Sequence, residues 1–176
     1  MGVLSVNLSE ERGGLGMDQV ALALMVEEMG YVGLPEPVAE QIFLVNDLLP
    51  MLPVAMQEKI QDHLISEISY ISVAHPLAPN PMFLNESAGL LIFEKDSYKF
   101  VLKHDVEFEE VASNDPSREL SKIISTQNHI SSSENFELLN SAIASRGALM
   151  TAALLIGLSQ KMIDLSSSYA LDRTQF

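Results

Sequence analysis

The chain has 176 residues and a formal net charge of −14, from 24 acidic residues against 10 Lys and Arg. No basic cluster offsets this excess of acid, which argues against direct binding to nucleic acid or to an anionic membrane. There are no cysteines, so disulfides, thiolate metal ligands and a cysteine nucleophile are excluded. Apolar residues make up 47% of the chain, enough for a packed core in one domain or two small ones.

Helical periodicity dominates the first third of the sequence, residues 1–66. Asp18 is placed to cap a first helix, and Gly30 is expected to end it as a left-handed C-cap. Prolines then flank a second predicted helix from Val38 to Leu49, and a third is expected over Gln57 to Leu64. The pattern therefore predicts an N-terminal helical region.

Period-2 patterns replace the helical ones over residues 67–128. Tyr98, Phe100 and Leu102 alternate with more polar neighbours, which predicts a strand with one buried face. Between the first two predicted strands lies the stretch HPLAPNPMFLNESAG, whose three prolines exclude regular pairing. We expect a small antiparallel β domain with a loop inserted.

One long helix is predicted after a polar spacer, from about Glu134 to Arg173, roughly 60 Å at 1.5 Å per residue. Its apolar positions surround much of the helix, and a row of small residues allows close approach of another backbone. Such a helix must be covered on most sides. We expect residues 129–176 to form the first helix of a C-terminal bundle whose remaining helices are absent. Helices, a sheet and a helix in this order predict an α+β fold.

No stretch of the sequence predicts export or membrane insertion. The N-terminus carries acids where a signal peptide needs Lys or Arg. The longest apolar run, Ala148 to Leu158, is interrupted by Thr151 and is too short to span a bilayer. With the lack of cysteine, this predicts a soluble cytoplasmic protein.

Three segments resemble one family, the acyl-CoA dehydrogenases. The stretch SEERGGLGMDQVALALMVEEMG is similar to that family's "PEE-x-GG-x-G…EE-x-G" segment, and NDPSREL is similar to a "D-x-[TS]-R" segment. The most specific match is GLSQKMIDLSSSYALDRTQF, which resembles "G-x-x-Q-x8-Y-x3-R-x-x-F". The residues that carry these matches are Glu10, Glu11, Gly13, Gly14, Gly16, Glu27, Glu28, Gly30, Gly157, Gln160, Tyr169, Arg173 and Phe176.

The resemblance implies a flavoprotein with helical, β and bundle parts that performs FAD-dependent α,β-dehydrogenation of an acyl-CoA thioester in fatty-acid or steroid side-chain β-oxidation. It also implies a homo- or hetero-oligomer of such subunits. Arg173 would contact the diphosphate of a neighbouring subunit's FAD across the interface, with Gln175 and Phe176 packed beside it. A guanidinium pairs well with phosphate oxygens, and an aromatic ring covers flat ring systems.

The sequence also departs from the family. Where the first strand should end in "TEPGAGSD", a loop that meets the flavin ring, this chain reads AHPLAPNP, and it has no tryptophan to cover the flavin. At one of the two positions where the family places its glutamate base, this chain has Gly147 beside Arg146, so the catalytic residues are unknown. Two interpretations remain open: a truncated chain that has lost its bundle, or the non-catalytic subunit of a heteromeric enzyme. A non-enzymatic helical interaction or scaffold protein is the alternative outside the enzyme class.

Other candidate residues are interpreted as structural. His63, His75, His104 and His129 are scattered without carboxylates at ligand spacing, so we expect no metal site. His75 occupies the place of the family's loop glutamate and is interpreted as a polar loop residue. Alternation points Glu107 and Glu109, with Glu110 beside them, to the solvent face of a strand. The cluster Gly13-Gly14-Leu15-Gly16 is interpreted as a turn before a helix.

Overall fold

In the residues that the structure describes, the fold combines N-terminal helices, two small β-sheets and one long C-terminal helix, so the predicted α+β class is confirmed. The computed structural model describes Val6, Glu10 and residues 15–67 and 70–173, with the side chains of 45–46 and 62–67 left undescribed. The predicted glycine turn at 13–16 lies in part outside these residues.

Helix α1 spans Gln19–Val32 and begins as predicted, because the side chain of Asp18 accepts a hydrogen bond from the N–H of Ala21 at 2.9 Å. The predicted stop at Gly30 is wrong. The helix ends at Gly33, which has a left-handed φ of 72°, while Gly30 is buried inside the helix. The two glycines differ in their long-range surroundings, which a local pattern does not report.

The next helices follow the sequence pattern closely. Helix α2 covers Val38–Phe43 and continues through a π-helical turn at Leu44–Leu48 and a 3-10 turn at Leu49–Met51. Helix α3 covers Val54–Glu67 and extends three residues beyond the prediction at each end. Large buried side chains of this region form a core with the sheet and the start of the long helix, and they include Leu48, Met56, Ile60, Leu91, Phe100 and Leu139.

Four strands form the larger sheet in the order β1-β2-β3-β6, with bounds Tyr70–Ala74, Ser87–Phe93, Tyr98–Leu102 and Ile130–Ser132. Strand β1 pairs in parallel with β2, whereas the other pairs are antiparallel, which corrects the expectation of a wholly antiparallel sheet. The reason is the long connection 75–86, because a parallel pair requires a crossover of about a dozen residues.

A second sheet packs against the first. It is an antiparallel pair of β4, Val106–Val111, and β5, Leu120–Thr126. Strand β3 is consequently buried on both faces: Tyr98 and Phe100 face the helical core, and Val101 packs with Leu90 and Leu84 in a cluster under the second sheet. The prediction of a single buried face on this strand is wrong for that reason.

A glutamine side chain pairs with the outer edge of β1. The amide nitrogen Nε2 of Gln41 in α2 donates to the carbonyl of Ile71 at 2.9 Å, and Oε1 accepts from the N–H of Ile71 at 3.0 Å. Gln41 is only 3% exposed. Its amide therefore replaces a neighbouring strand at this residue and fixes β1 against α2.

The long helix α4 spans Phe136–Asp172, 37 residues and about 55 Å, as predicted. It crosses α1 at very short range. A Cβ built on Gly30 would collide with the backbone of Leu154 in α4, and one on Gly157 would collide with the carbonyl of Glu27 in α1. The two helices therefore meet backbone to backbone, and each requires a glycine at the crossing.

The predicted division at residues 66 and 128 remains a proposal. Helix α3 ends at Glu67, but the short strand β6, Ile130–Ser132, pairs with β3 after the second boundary.

We predict opposite effects from two Gly→Ala substitutions in α4. Gly157→Ala should lower the free energy of unfolding by about 1–3 kcal/mol or more, because its methyl group meets the α1 backbone. Gly147→Ala is the matched control: a methyl group there meets nothing within 4 Å. That change should raise stability by about 0.5–1 kcal/mol through helix propensity. Urea unfolding measures both, and effects of the same sign would contradict the close crossing.

We also predict that Gln41→Ala destabilises the chain by about 2–5 kcal/mol, because it leaves the N–H and carbonyl of Ile71 buried without partners. Gln61→Ala, at an exposed position of α3, serves as the control and should change stability by less than about 0.5 kcal/mol. Thermal unfolding of the two variants compares them directly. Equal, small effects would show that the Gln41 amide does not support the sheet edge.

Candidate cofactor and partner site

A cluster of four side chains joins the distal half of α4 to the end of α1. The hydroxyl of Tyr31 donates to Oδ2 of Asp164 at 2.9 Å, and Nε2 of Gln160 donates to Oδ1 of the same carboxylate at 2.8 Å. The ammonium of Lys161 lies 4.7 Å from the centre of the Tyr31 ring. Gln160, part of the family-like pattern, thus orients the carboxylate that binds α1.

The opposite side of α4 is apolar and exposed. Between Gly147 and Leu171 the sequence has only two charged residues, Lys161 and Asp164, and both contact Tyr31 of α1. The exposed face consists of large apolar side chains that are 40–88% accessible: Leu149, Leu155, Ile156, Met162, Ile163, Leu165, Tyr169 and Leu171. Nothing in the described part of this chain covers these side chains, although a helix that is apolar on most sides requires cover.

By length and composition alone, α4 could cross a membrane. The core helix of a soluble protein passes the same test, so this is weak evidence. One side of the helix packs on α1 through Gly157, and Asp164 is hydrogen-bonded on that side. Such contacts are typical of a helix that packs within a globular fold on one side and is exposed on the other.

Arg173 directly follows α4 and is exposed. Its backbone N–H donates to the carbonyl of Tyr169 at 3.1 Å, and its guanidinium carbon lies 5.8 Å from the centre of the Tyr169 ring. A guanidinium over an aromatic face still presents its N–H fork at the edge, where phosphate oxygens bind. Gln175 and Phe176, the other predicted cofactor contacts, lie outside the described residues.

Arg173, the described one of the three predicted cofactor contacts, lies far along α4 from the family's base position at Gly147 and from Asn140, which is hydrogen-bonded to His75 after β1. Arg173 lies 26 residues beyond Gly147 and 33 beyond Asn140, which correspond to about 40 and 50 Å of helix. A small-molecule pocket is much smaller than this. The structure therefore does not bring Arg173 together with the β1 end or with the family's base position in the same chain.

His75 directly follows β1 in the loop, as predicted, and its side chain is buried, at 7% exposure. Its Nε2 lies 2.9 Å from Oδ1 of Asn140 in α4, and its Nδ1 accepts from the N–H of Leu77 at 3.1 Å. These residues line a shallow surface depression of about 490 Å³. The loop does not fit a flavin ring, because its polar groups already bind one another and its prolines have no N–H to donate.

No carboxylate occupies the family's base position at the start of α4. A Cβ built on Gly147 would meet no atom within 4 Å, and the neighbouring Arg146 is half-buried. From the facing π-helical turn, burial raises the pKa of the half-buried Asp47 carboxyl, and the positive charge of Arg146 partly offsets this rise. The sequence pattern did not indicate Asp47, because its surroundings come from α4, about a hundred residues later.

The acidic residues of β4 lie on the surface as predicted and bind nearby polar groups. Glu107 accepts from Ser125 at 2.8 Å, and Glu109 pairs with Lys122 at 2.8 Å, across the antiparallel register. Glu110 accepts from Asn85 at 3.3 Å. Cross-strand pairs of this kind support the sheet.

In the described part of the chain, no group of three or more His, Asp or Glu side chains is arranged to hold a metal ion. His104 is exposed and lies 3.4 Å from Asp105. His129 is exposed as well, and the side chain of His63 lies outside the described residues.

Arg118, in the family-like NDPSREL segment, binds α2. Its guanidinium Nη2 lies 2.5 Å from Oε1 of Glu40, and both side chains are partly buried. This ion pair joins the N-terminal helices to the chain just before β5. The family-like segment is visible in the sequence, whereas its partner Glu40 lies 78 residues earlier and carries no local signal.

Comparisons with known proteins identify a relative by sequence and a similar solved structure by fold. No protein-family model matches the chain. It is 25% identical over 179 aligned residues to "Acyl-CoA dehydrogenase IpdE2" of Mycobacterium tuberculosis (strain ATCC 25618 / H37Rv), an alignment that covers 100% of this chain and 52% of that protein. Among solved structures, the apo form of PigA matches with a TM-score of 0.74 at 16% identity, covering 99% of this chain and 58% of that one.

The resemblance to the acyl-CoA dehydrogenases is confirmed by this relative, whose name is that of the family the motifs indicated. The likeness to PigA shows the fold, including the order of helices, small sheets and long helix. The chain spans a little over half the length of both proteins.

We predict that Asp164 controls the titration of Tyr31. The hydrogen bond to Asp164 and its negative charge raise the pKa of the Tyr31 hydroxyl. A raised folded-state pKa stabilises the fold below the ordinary tyrosine pKa, and this contribution is lost as pH rises through the folded-state value. Asp164→Asn should return the Tyr31 pKa toward its ordinary value in an ultraviolet phenolate titration.

Asp172→Asn, at the exposed end of the same helix, is the control for that titration and should leave the Tyr31 transition in place. Tyr31→Phe identifies which of the four tyrosine transitions is affected. An unchanged transition in Asp164→Asn would contradict the contact between α1 and α4.

Proposed function

We propose that this chain is an acyl-CoA dehydrogenase-like subunit that supplies structure and part of a flavin site to a partner subunit. The reaction of the assembly is FAD-dependent α,β-dehydrogenation of an acyl-CoA thioester. The sequence relationship with an acyl-CoA dehydrogenase supports the reaction class, since the alignment covers the whole chain. Localisation in the cytoplasm and a role in β-oxidation of fatty acids or steroid side chains are part of the same proposal.

One geometric observation carries the proposal: Arg173 lies about 50 Å along α4 from Asn140, which contacts the β1 end. If Arg173 binds a flavin dinucleotide, the ring of that dinucleotide cannot lie at the β1 loop of the same chain. The cofactor would belong to another subunit. This is the arrangement that the family resemblance implied for Arg173, Gln175 and Phe176.

The exposed face of α4 supports an oligomer of such subunits. It is nearly uncharged and carries eight exposed large apolar side chains, whereas the chain as a whole carries a net charge of −14. At about 25 cal/mol per Å² of apolar surface, covering this face would stabilise an assembly strongly. Helices of a partner are the proposed cover.

The chain's own residues limit its part in catalysis. Bound FAD would supply the hydride acceptor, but the β1 loop of this chain offers no fit for its ring. Gly147 itself supplies no carboxylate at the family's base position, and a Cβ built there would meet nothing within 4 Å. We therefore assign the chain a binding and supporting role, with Arg173 as the residue that meets the diphosphate, and we place proton abstraction in the partner.

A non-enzymatic interaction module is the second candidate. The same apolar face of α4 would join partner helices, and the closed β1 loop would have no cofactor to bind. The two functions differ in one visible property, because a flavin site assembled with a partner makes the complex yellow.

Flavin content of the complex tests the proposal. We expect co-expression with a complete acyl-CoA dehydrogenase chain from the same genome to yield a yellow complex. Arg173→Ala should weaken FAD binding about tenfold to a hundredfold, because it removes a charge-assisted contact to phosphate. Arg173→Lys should recover part of that loss, since a lysine keeps the charge but not the bidentate fork.

Lys161→Ala is the charge-matched control on the same helix, because Lys161 contacts Tyr31 rather than the helix end. It should leave FAD affinity within about twofold of the parent complex. A complex that assembles but is colourless and indifferent to Arg173 would support the interaction module and refute the flavin role.

A further inference from the structure

The ring of His75 is hydrogen-bonded at both nitrogens, in one tautomer. The N–H of Leu77 donates to Nδ1 at 3.1 Å, so Nδ1 carries the lone pair. Nε2 therefore carries the proton and donates to Oδ1 of Asn140 at 2.9 Å. The ring is buried beside Phe93, with ring centres 5.9 Å apart.

Backbone groups of the same loop are also used internally. His75 and Ala78 exchange two backbone hydrogen bonds, of 3.2 and 2.8 Å. Pro76 and Pro79 have no N–H, and the N–H of Leu77 binds the His75 ring. From residue 75 to residue 79, every backbone N–H is thus either absent or already donating.

The return half of the loop is held just as firmly. The hydroxyl of Ser72 in β1 donates to the carbonyl of Met82 at 2.8 Å, and the N–H of Phe83 donates to the carbonyl of Glu119 at 3.1 Å. Phe83 is buried at a left-handed φ of 56°, a conformation that a bulky side chain adopts only where its surroundings impose it. The loop is bound at both ends.

We propose that His75 and Asn140 form a clamp that fixes the β1–β2 loop to α4 without a cofactor. The clamp occupies the place where the family-like loop would meet a flavin, so the β sheet and α4 of this chain keep their arrangement when no flavin is bound. This proposal rests on the chain's own hydrogen bonds and stands or falls independently of the flavin role of Arg173.

Hydrogen exchange of the Leu77 and Ala78 amides tests the clamp. In the full chain without FAD we expect both amides to be protected. His75→Ala should speed their exchange by about tenfold or more, because it removes the acceptor of the Leu77 N–H. Asn140→Ala should speed exchange as well, and the double variant should add little to the larger single effect.

Two control variants keep the test decisive. His104→Ala removes an exposed histidine and should leave the Leu77 and Ala78 amides protected. Asn140→Asp retains an oxygen acceptor for Nε2–H and should also preserve protection, even if His75→Ala fails to fold. Amides that exchange freely in the parent chain, and become protected only when FAD is added, would overturn the clamp.

Discussion

The structure depends on the crossing of α1 and α4, where two backbones touch. Gly30 and Gly157 each lie against the main chain of the other helix, and no side chain fits between. Because the contact leaves no room for adjustment, it fixes the angle and depth at which α4 lies on the N-terminal helices. The contact of Tyr31 with Asp164 then extends the attachment toward the end of α4. One side of α4 is thereby packed against α1, and the other side is apolar and exposed.

The length of α4 separates two regions of the chain that the family resemblance associates with a flavin. At one end the β1 loop is closed on itself and on Asn140. At the other, about 50 Å away, Arg173 directly follows the helix and lies over the ring of Tyr169. This separation supports the proposal that Arg173 contributes to a flavin site in a partner rather than to one at its own β1 loop. The family resemblance joins these two regions at one flavin only across a subunit interface, which agrees with their separation within this chain.

Local sequence patterns predicted what depends on near neighbours. The Asp18 cap, the limits of α4 and the solvent face of β4 followed from spacing alone. Errors came where distant residues decide the outcome. Gly30 carries the same local signal as a helix stop, but its neighbour in α4 makes it a packing residue. The parallel pairing of β1 with β2 follows from the path of a long connection, which periodicity does not report.

Residues of the candidate site also differ in whether near or distant neighbours in the sequence indicate them. Arg173 was found through a motif, whereas the pairs of Gln41 with Ile71 and of His75 with Asn140 join residues 30 and 65 positions apart. No local pattern in a single sequence indicates such pairs. The most direct test of the central claim is an electron cryo-microscopy structure of the assembled complex. We expect the apolar face of α4 to be buried against partner helices and the Arg173 guanidinium to lie at the diphosphate of a partner's FAD. An α4 face open to solvent, with Arg173 facing no nucleotide, would contradict the account.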